Sequence, residues 1–246
     1  MDQGIKKRVK AALHPDSLLY NSLAWIYGWI ARKPSVQRAA YMRAFKTSVF
    51  NESELWMASS QPVHLLDAAI EAWRPRSFLD VGCGIGKTLE YVARKGIDCI
   101  GIEGSTAAVA ASPVKQLIRL TNLNRPVHLG RKFDMVWSFE VAEHIHPSHT
   151  DTFLATLIRH GDLIVMSAAQ PGQGGAGHFN EQPSSFWIRK MLERGYSYDS
   201  EFSEFLHCLP DVYSGNMMVF LAHTAAASRS RYDVGDRPNA QHFSAV

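Results

Sequence analysis

The most restrictive feature of the sequence is a segment in which three alternating glycines connect a buried strand to a helix. The strand is SFLDV (77–81), the glycines are Gly82, Gly84 and Gly86, and the helix is TLEYVARKG (88–96). Glycine lets the backbone turn tightly and approach a ligand without side-chain interference. A strand, a glycine turn and a helix in this order predict one unit of an α/β sheet with a ligand at the turn.

The chain continues with short apolar runs that alternate with amphipathic segments. The further runs predicted as strands buried on both faces are DCIGIE (98–103), RPVHL (125–129), FDMVWSF (133–139), DLIVMS (162–167) and NMMVFLAH (216–223). The segments with helical spacing are HLLDAAIEAW (64–73), VKQLIRLTNL (114–123), TDTFLATLIRHG (150–161) and SSFWIRKMLERG (184–195). This alternation predicts an α/β fold with a mainly parallel sheet and helices on both of its faces.

The charge of the chain is unevenly distributed. Residues 1–46 carry nine Lys/Arg side chains against two acids, whereas the rest of the chain carries 17 against 21. The basic arm also contains four aromatic residues in SLLYNSLAWIYGWIAR, so it is either a cap packed on the domain or a contact for an anionic partner. Such a partner would be nucleic acid, the surface of a membrane or a phosphorylated substrate. We expect an N-terminal helical basic and aromatic cap over 1–60, a cofactor-binding domain over 61–223 and a loose tail over 224–246.

Cysteine usage and hydropathy indicate the class of protein. The three cysteines are widely spaced and form no CxxC pair, which favours reduced thiols and a cytoplasmic setting. No run reaches the eighteen or so apolar residues of a membrane span, and the N-terminus lacks the apolar region of a secretory signal. We therefore expect a soluble cytoplasmic protein, and composition leaves monomer and homodimer open.

The glycine segment is similar to two nucleotide-binding motifs but matches neither of them. A phosphate-binding loop ending in Lys87 and Thr88 needs a glycine where Val81 stands, and a dinucleotide loop needs a small residue in place of Lys87. The remaining pattern has an acid, Asp80, two residues before the first glycine, and Glu103 at the end of the next strand. Glu103 can accept hydrogen bonds from both hydroxyls of a ribose. Asp80 suits a cofactor with an ammonium and a sulfonium group better than a pyrophosphate.

Three segments in this order, FLDVGCGIG, IGIEGS and FDMVWSFEVAEHI, resemble the signature segments of class I S-adenosylmethionine-dependent methyltransferases. The resemblance covers roughly residues 60–223. It implies a Rossmann-like sheet of seven strands that an antiparallel strand, here NMMVFLAH, completes. It also implies S-adenosyl-L-methionine as cofactor. The residues that it places around the cofactor are Asp80, Gly82, Cys83, Gly84, Gly86, Glu103, Gly104, Ser138, Phe139 and Glu140.

The segment VHLGRKFD (127–134) departs from that family pattern. Many relatives carry an acid after the third strand, where it binds the adenine amino group, and this segment has none before Asp134. With RPVHL as the third strand, we expect the adenine contacts to come from the backbone near Leu129 and Gly130.

The candidate catalytic residues lie in FEVAEHIHPSH and GHFNEQ. Glu140, Glu143 and His144 have the spacing i, i+3, i+4, which places them on one face if the segment begins a helix. His144 is the first candidate for the base that removes a proton from a hydroxyl acceptor, because an unperturbed imidazole titrates near neutrality. Glu140 is a further catalytic candidate, and His146 and His178 are alternative bases. The structural alternative is that the acids only stabilise the start of a helix.

The main hypothesis is an O-methyltransferase that uses no metal and acts on a small molecule such as a sugar, a lipid-linked compound or a secondary metabolite. The basic arm and the glycine-rich loop 168–183 would cover the acceptor and exclude water.

Two alternatives remain open. Glu140, Glu143, His144 and His178 resemble the metal-binding set of small-RNA 3′-terminal 2′-O-methyltransferases, in which a divalent ion would activate a ribose hydroxyl. The basic arm would then bind the RNA. The other alternative is a catalytically inactive module that binds S-adenosylmethionine.

Overall fold

The computed structural model describes residues 62–175 and 177–226. The predicted cap over 1–60 and nearly all of the predicted tail over 224–246 lie outside the described residues. Within the described ranges, no helix has both the length and the apolar character needed to cross a membrane.

A seven-stranded sheet forms the centre of the described region. Its strands are β1 (Ser77–Val81), β2 (Asp98–Glu103), β3 (Ile118–Leu120), β4 (Met135–Ser138), β5 (Leu163–Ser167), β6 (Tyr196–Tyr198) and β7 (Met217–Ala222). Their order in the sheet is β3-β2-β1-β4-β5-β7-β6. The strands from β3 to β5 pair in parallel, and β7 is antiparallel to both β5 and β6. The predicted fold class and the predicted antiparallel strand in NMMVFLAH are confirmed.

Helices follow most of the strands. They are α1 (Val63–Trp73), α2 (Lys87–Arg94), α3 (Thr106–Ala111), α4 (Thr150–His160), α5 (Ser184–Leu192), α6 (Ser200–His207) and α7 (His223–Ala226). Short 3-10 turns are formed by Lys115–Leu117, Ala142–His144, Pro147–His149 and Ser214–Asn216. The predicted helices before β1, after β1, before β5 and after the glycine-rich loop are confirmed.

The two faces of the sheet support separate hydrophobic clusters. Successive side chains of a strand point to opposite faces, so Val136 packs in one cluster while Met135 and Trp137 pack in the other. Helices α4 and α5 cover the first face, and α1, α2 and α6 cover the second. This two-sided burial explains why the central strands are continuous apolar runs in the sequence.

The third strand is not where the sequence predicted it. RPVHL forms no strand, and the segment predicted as the helix VKQLIRLTNL contains the 3-10 turn Lys115–Leu117 and then β3, Ile118–Leu120. The strand lies at the edge of the sheet and has only three residues, of which Ile118 alone is buried. So short a strand has no distinguishable alternation of buried and exposed residues. The leucines of the surrounding segment, Leu117, Leu120 and Leu123, fit a helical spacing equally well. Val127 and Leu129 of RPVHL pack on the core from a loop instead.

Candidate functional site

The glycine segment lies at the point where the chain order of the sheet reverses, between β1 and β4. Open α/β sheets bind ligands at the carboxyl ends of the strands at this point. Gly82, Gly84 and Gly86 have φ values of +80°, +56° and +80°, which explains why all three positions are glycine. A Cβ on Gly82 would lie 2.5 Å from a methyl carbon of Val141, so the turn packs directly on the segment after β4.

Two acids flank the glycine turn. Asp80 is only 3% exposed, and burial together with the nearby charge of Glu103 raises its pKa to about 8. The Glu103 carboxylate accepts hydrogen bonds from the backbone N–H of Gly84 at 2.8 Å and of Ser105 at 2.7 Å. Burial raises the pKa of Glu103, and these hydrogen bonds oppose the increase. An acid pair of this kind is stabilised by a cationic ligand.

The other predicted cofactor residues differ in their exposure. The Ser138 hydroxyl is buried and donates to the Val81 carbonyl at 2.9 Å, so it ties the ends of β4 and β1 together. Phe139 stacks on Trp137 with 5.9 Å between ring centroids. The Cys83 side chain is buried, whereas Gly104 is exposed beside Glu103.

Glu140 follows β4 in a left-handed backbone conformation, with φ of +53°. Such a conformation is costly for a residue other than glycine and is often found at functional sites. Its N–H donates to the Ser167 hydroxyl at 2.7 Å, and its Oε1 accepts from the Asn216 side-chain amide at 3.1 Å. The predicted helix that would align Glu140, Glu143 and His144 on one face is wrong, because only the 3-10 turn Ala142–His144 forms.

Glu143, His144 and His178 come together after β4, and we call them the Glu–His–His cluster. Glu143 is two residues beyond Val141, which packs on Gly82. One ligand atom from each lies within 4.8 Å of the others, and the two imidazole centroids are 4.9 Å apart. The Glu143 side chain is fully buried, and neither of its oxygens has a hydrogen-bond partner among the described residues. Burial and the charge of Glu140 raise the pKa of Glu143 to about 9.

His144, the first candidate for the base, lies in a buried environment. Burial, and then the proximity of His178, lowers its pKa to about 4, so the ring is neutral at pH 7 and takes up a proton poorly. Its Nδ1 lies 3.1 Å from the Gly177 carbonyl oxygen. His146, an alternative base, lies outside the cluster, and its Nδ1 contacts the Ser148 hydroxyl at 2.8 Å.

His178 is held by the carboxylate of Glu181. The distance from its Nδ1 to Glu181 Oε1 is 3.0 Å. The same carboxylate accepts hydrogen bonds from the N–H groups of Gly172 at 2.8 Å and Gly174 at 2.6 Å. Glu181 was not among the predicted site residues, although it lies in the segment GHFNEQ, three residues after His178.

The glycine-rich loop 168–183 is joined to the segment after β4. The backbone N–H groups of Phe179 and Asn180 donate to the Glu143 carbonyl at 2.8 and 3.0 Å. The Asn180 side-chain amide donates to the Thr150 hydroxyl. These contacts bring the downstream histidine to the residues after β4, which are more than thirty positions earlier in the chain.

The predicted adenine contacts at Leu129 and Gly130 are wrong. Leu129 donates through its N–H to His160 at the end of α4, and Arg131 pairs with Asp98 at the start of β2. These residues therefore lie at the amino edge of the sheet, opposite the glycine turn. The residues that follow the observed third strand at the carboxyl edge are 121–124.

Comparison with known proteins shows which family the described domain is similar to. Residues 58–197 match a family described as "Methyltransferase domain". A ubiquinone biosynthesis O-methyltransferase of Cereibacter sphaeroides is 31% identical over 136 residues, 48% of this chain and 50% of that protein. The protein of the same name in Brucella ovis is 30% identical over 100 residues, 37% of this chain and 40% of that protein. The chain thus spans half or less of the length of these curated relatives.

Solved structures share the fold at low sequence identity. The sugar N-methyltransferase KedS8 from Streptoalloteichus sp ATCC 53650 has a TM-score of 0.54 and 16% identity, covering 72% of this chain and 96% of that chain. The plantazolicin methyltransferase BpumL, solved in complex with SAH, has a TM-score of 0.51 and 13% identity, covering 80% of this chain and 98% of that chain. Likeness at these identities confirms the Rossmann-like fold.

Proposed function

The chain belongs to the methyltransferase domain family, and from this we propose that it transfers the methyl group of S-adenosylmethionine to a hydroxyl oxygen of a small molecule. The observation that carries the proposal is the Glu–His–His cluster, which follows the segment that packs on the glycine turn. The intact turn and the acid pair support an active enzyme, not an inactive binding module.

The cofactor would bind along the carboxyl ends of β1 and β2. The left-handed glycines leave room for the methionine part of the ligand beside Asp80, whose carboxylate would face the ammonium group. Glu103 would accept the hydrogen bonds of the two ribose hydroxyls with the lone pairs that its backbone donors leave. Among the predicted residues, Ser138 and Phe139 would support the site from the core.

Oxygen is the proposed acceptor atom because the curated relatives are named as O-methyltransferases of ubiquinone biosynthesis. A small acceptor also agrees with the likeness to enzymes named for a sugar and for plantazolicin. Methyl transfer is an in-line displacement in which the acceptor oxygen bonds to the methyl carbon while the bond from carbon to sulfur breaks. S-adenosylhomocysteine and one proton are the other products.

His178 is the better candidate for the group that receives this proton. Its ring contacts an anionic carboxylate, which stabilises the imidazolium that would form, as a carboxylate does in a catalytic triad. His144 remains neutral, and Glu143, with its raised pKa, is protonated at pH 7 and would donate a hydrogen bond to the acceptor.

Steady-state kinetics of matched variants test these roles. His178→Asn is expected to reduce kcat by about 100-fold or more, in the range of general acid–base catalysis, with little change in the affinity for S-adenosylhomocysteine. His146→Asn is the control, since it removes an imidazole from the same region but outside the cluster. Equal activity in the two variants would show that His178 receives no proton.

A second candidate mechanism is supported by the same cluster. Two imidazoles and the carboxyl group of Glu143, which is buried and has no hydrogen-bond partner among the described residues, are a suitable donor set for a divalent cation. The cation would displace the proton of the carboxyl group. Both rings have an acceptor at Nδ1, as ligating histidines usually do. The fourth residue of the predicted metal set, Glu140, is not part of the group and bonds to Asn216 instead. A cation bound here would lower the pKa of the acceptor hydroxyl.

Metal analysis and acceptor choice separate the two candidates. If the cation is required, the purified protein is expected to carry about one equivalent of it, and EDTA is expected to stop turnover until the metal is restored. Activity that persists in EDTA, in protein free of bound metal, would exclude this mechanism. A small phenol and an RNA with a free 3′ end, offered in parallel, decide whether the hydroxyl belongs to a small molecule or to a ribose.

A further inference from the structure

We propose that Glu181 is a positioning residue, which fixes the ring nitrogens of His178 and holds the glycine-rich loop against the Glu–His–His cluster. This inference rests on the proposed function, because it gives His178 a purpose in methyl transfer. It assigns a role to an acid that neither the sequence motif nor the family comparison selects.

The Glu181 carboxylate collects three hydrogen-bond donors. Oε2 accepts from the N–H of Gly172 at 2.8 Å, and Oε1 accepts from the N–H of Gly174 at 2.6 Å and lies 3.0 Å from Nδ1 of His178. Its side chain is 19% exposed and that of His178 is 13% exposed. These contacts are thus largely shielded from water. Hydrogen bonds to a charged group are stronger in such an environment than in water.

Both oxygens of the Glu181 carboxylate accept hydrogen bonds from backbone N–H groups, Oε2 from Gly172 and Oε1 from Gly174. A carboxylate in this arrangement only accepts hydrogen bonds. The Nδ1 atom of His178 must therefore carry a hydrogen.

The position of that hydrogen determines the chemistry of the ring. A neutral imidazole with hydrogen on Nδ1 has its lone pair on Nε2, and only the lone pair takes up a proton or binds a cation. The backbone carbonyl of Gly177 has the same effect on His144, because it too is only an acceptor. Both imidazoles of the cluster are consequently set in the same tautomer from outside the cluster.

Gly175 adds a steric restraint on the same ring. A Cβ at this position would lie 2.3 Å from Nε2 of His178, so the backbone passes very close to the imidazole. The carboxylate thus contacts the Nδ1 edge of the ring, and the Gly175 backbone lies against the Nε2 edge, where any larger residue would displace the imidazole. A side chain with two such restraints is positioned before the acceptor arrives, which favours reaction.

The first test reads the tautomer directly and needs no turnover. Ring-nitrogen NMR of the full chain labelled with ¹⁵N-histidine, without added cofactor, is expected to show His178 with hydrogen on Nδ1. His178→Asn assigns the signal by removing it. In Glu181→Ala the signal is expected to shift toward the Nε2-protonated form, which predominates in free imidazole rings. Hydrogen on Nε2 in the parent protein, or no shift in the variant, would overturn the proposal.

A matched variant separates positioning from general loosening of the loop. The Gln173 side chain accepts hydrogen bonds from the Gln170 N–H and the Asn216 amide, so Gln173→Ala weakens the same loop without touching His178. We expect Gln173→Ala to keep the parent tautomer, whereas Glu181→Ala loses it. A melting curve of each variant confirms that the domain is folded.

Turnover provides the second readout. Glu181→Ala is expected to lower kcat by about 10- to 100-fold, as for other groups that orient a functional histidine, while the KM for S-adenosylmethionine stays unchanged. A kcat within two-fold of that of Gln173→Ala would refute the positioning role. If the parent protein transfers no methyl group to any hydroxyl acceptor, the proposed function fails, and the NMR spectra still decide what Glu181 does to His178.

Discussion

Replacement of Asp80 by asparagine is expected to abolish a proton release that accompanies cofactor binding. In the cofactor-free protein, burial and the charge of Glu103 raise the pKa of Asp80 to about 8. At pH 7 the carboxyl is therefore roughly nine-tenths protonated. A bound ligand with an ammonium group beside Asp80 favours the carboxylate, so binding releases close to one proton.

The size of the effect follows from linkage. Each pH unit below the pKa of Asp80 in the cofactor-free protein costs about 1.4 kcal/mol of cofactor-binding free energy. The affinity for the cofactor therefore falls by about 10-fold between pH 7 and pH 6. The folding stability of the cofactor-free protein depends on pH in the opposite direction to the affinity for the cofactor. Because the folded-state pKa exceeds the unfolded value, this group contributes stability that is full below about pH 4 and is lost as the pH rises toward about 8.

Calorimetry with S-adenosylhomocysteine measures the release. This product keeps the ammonium group and does not react, and titrations in phosphate and in Tris at equal pH give the number of protons per ligand bound. At pH 6 to 7 the ligand's own amino group, with a pKa of about 8 or higher, stays at least nine-tenths protonated and contributes little to the proton count. Asp80→Asn is the matched control. Binding without proton release in the parent protein, or equal release in Asp80→Asn, would show that Asp80 is not the source of the proton.

Three further changes test the account. Gly82→Ala is expected to cost about 1–3 kcal/mol of unfolding free energy and to block cofactor binding, since its Cβ would overlap Val141. Gly96→Ala is the control for backbone strain alone, because Gly96 has φ of +77° and open space around it. Equal melting temperatures of the two variants would contradict the overlap. Glu103→Ala is expected to weaken the binding of S-adenosylhomocysteine at least 10-fold, as measured by calorimetry. An unchanged affinity would contradict a cofactor site at Glu103. Removal of residues 1–46 is expected to stop turnover but leave cofactor binding intact, and full activity would show that the arm does not cover the acceptor.

The central strands were predictable because both faces of each are buried. Two-sided burial produces continuous apolar runs, and the runs that became β1, β2, β4 and β5 sit between turn residues. The strand β3 was missed because it lies at an edge and has three residues. Its misplacement also moved the expected adenine contacts to the wrong edge of the sheet.

The candidate site was predictable where spacing along the chain carries the information. Asp80 and Glu103 lie in the last residues of β1 and β2, the glycines follow β1, and the structure places them together. The lowered pKa of His144 was not predictable, because it depends on burial and on a histidine more than thirty positions away. Glu181 could be found only once the loop was folded, since its partners are backbone N–H groups.

The most direct measurement follows a ¹³C-labelled methyl group from S-adenosylmethionine to a phenolic acceptor by NMR, with the parent protein and His178→Asn in parallel. We expect a methyl ether signal in the parent reaction, formed one-to-one with S-adenosylhomocysteine, and a rate about 100-fold lower in the variant. Label that reaches nitrogen or carbon only, or a methyl ether formed equally fast by both proteins, would contradict transfer to oxygen at the Glu–His–His cluster.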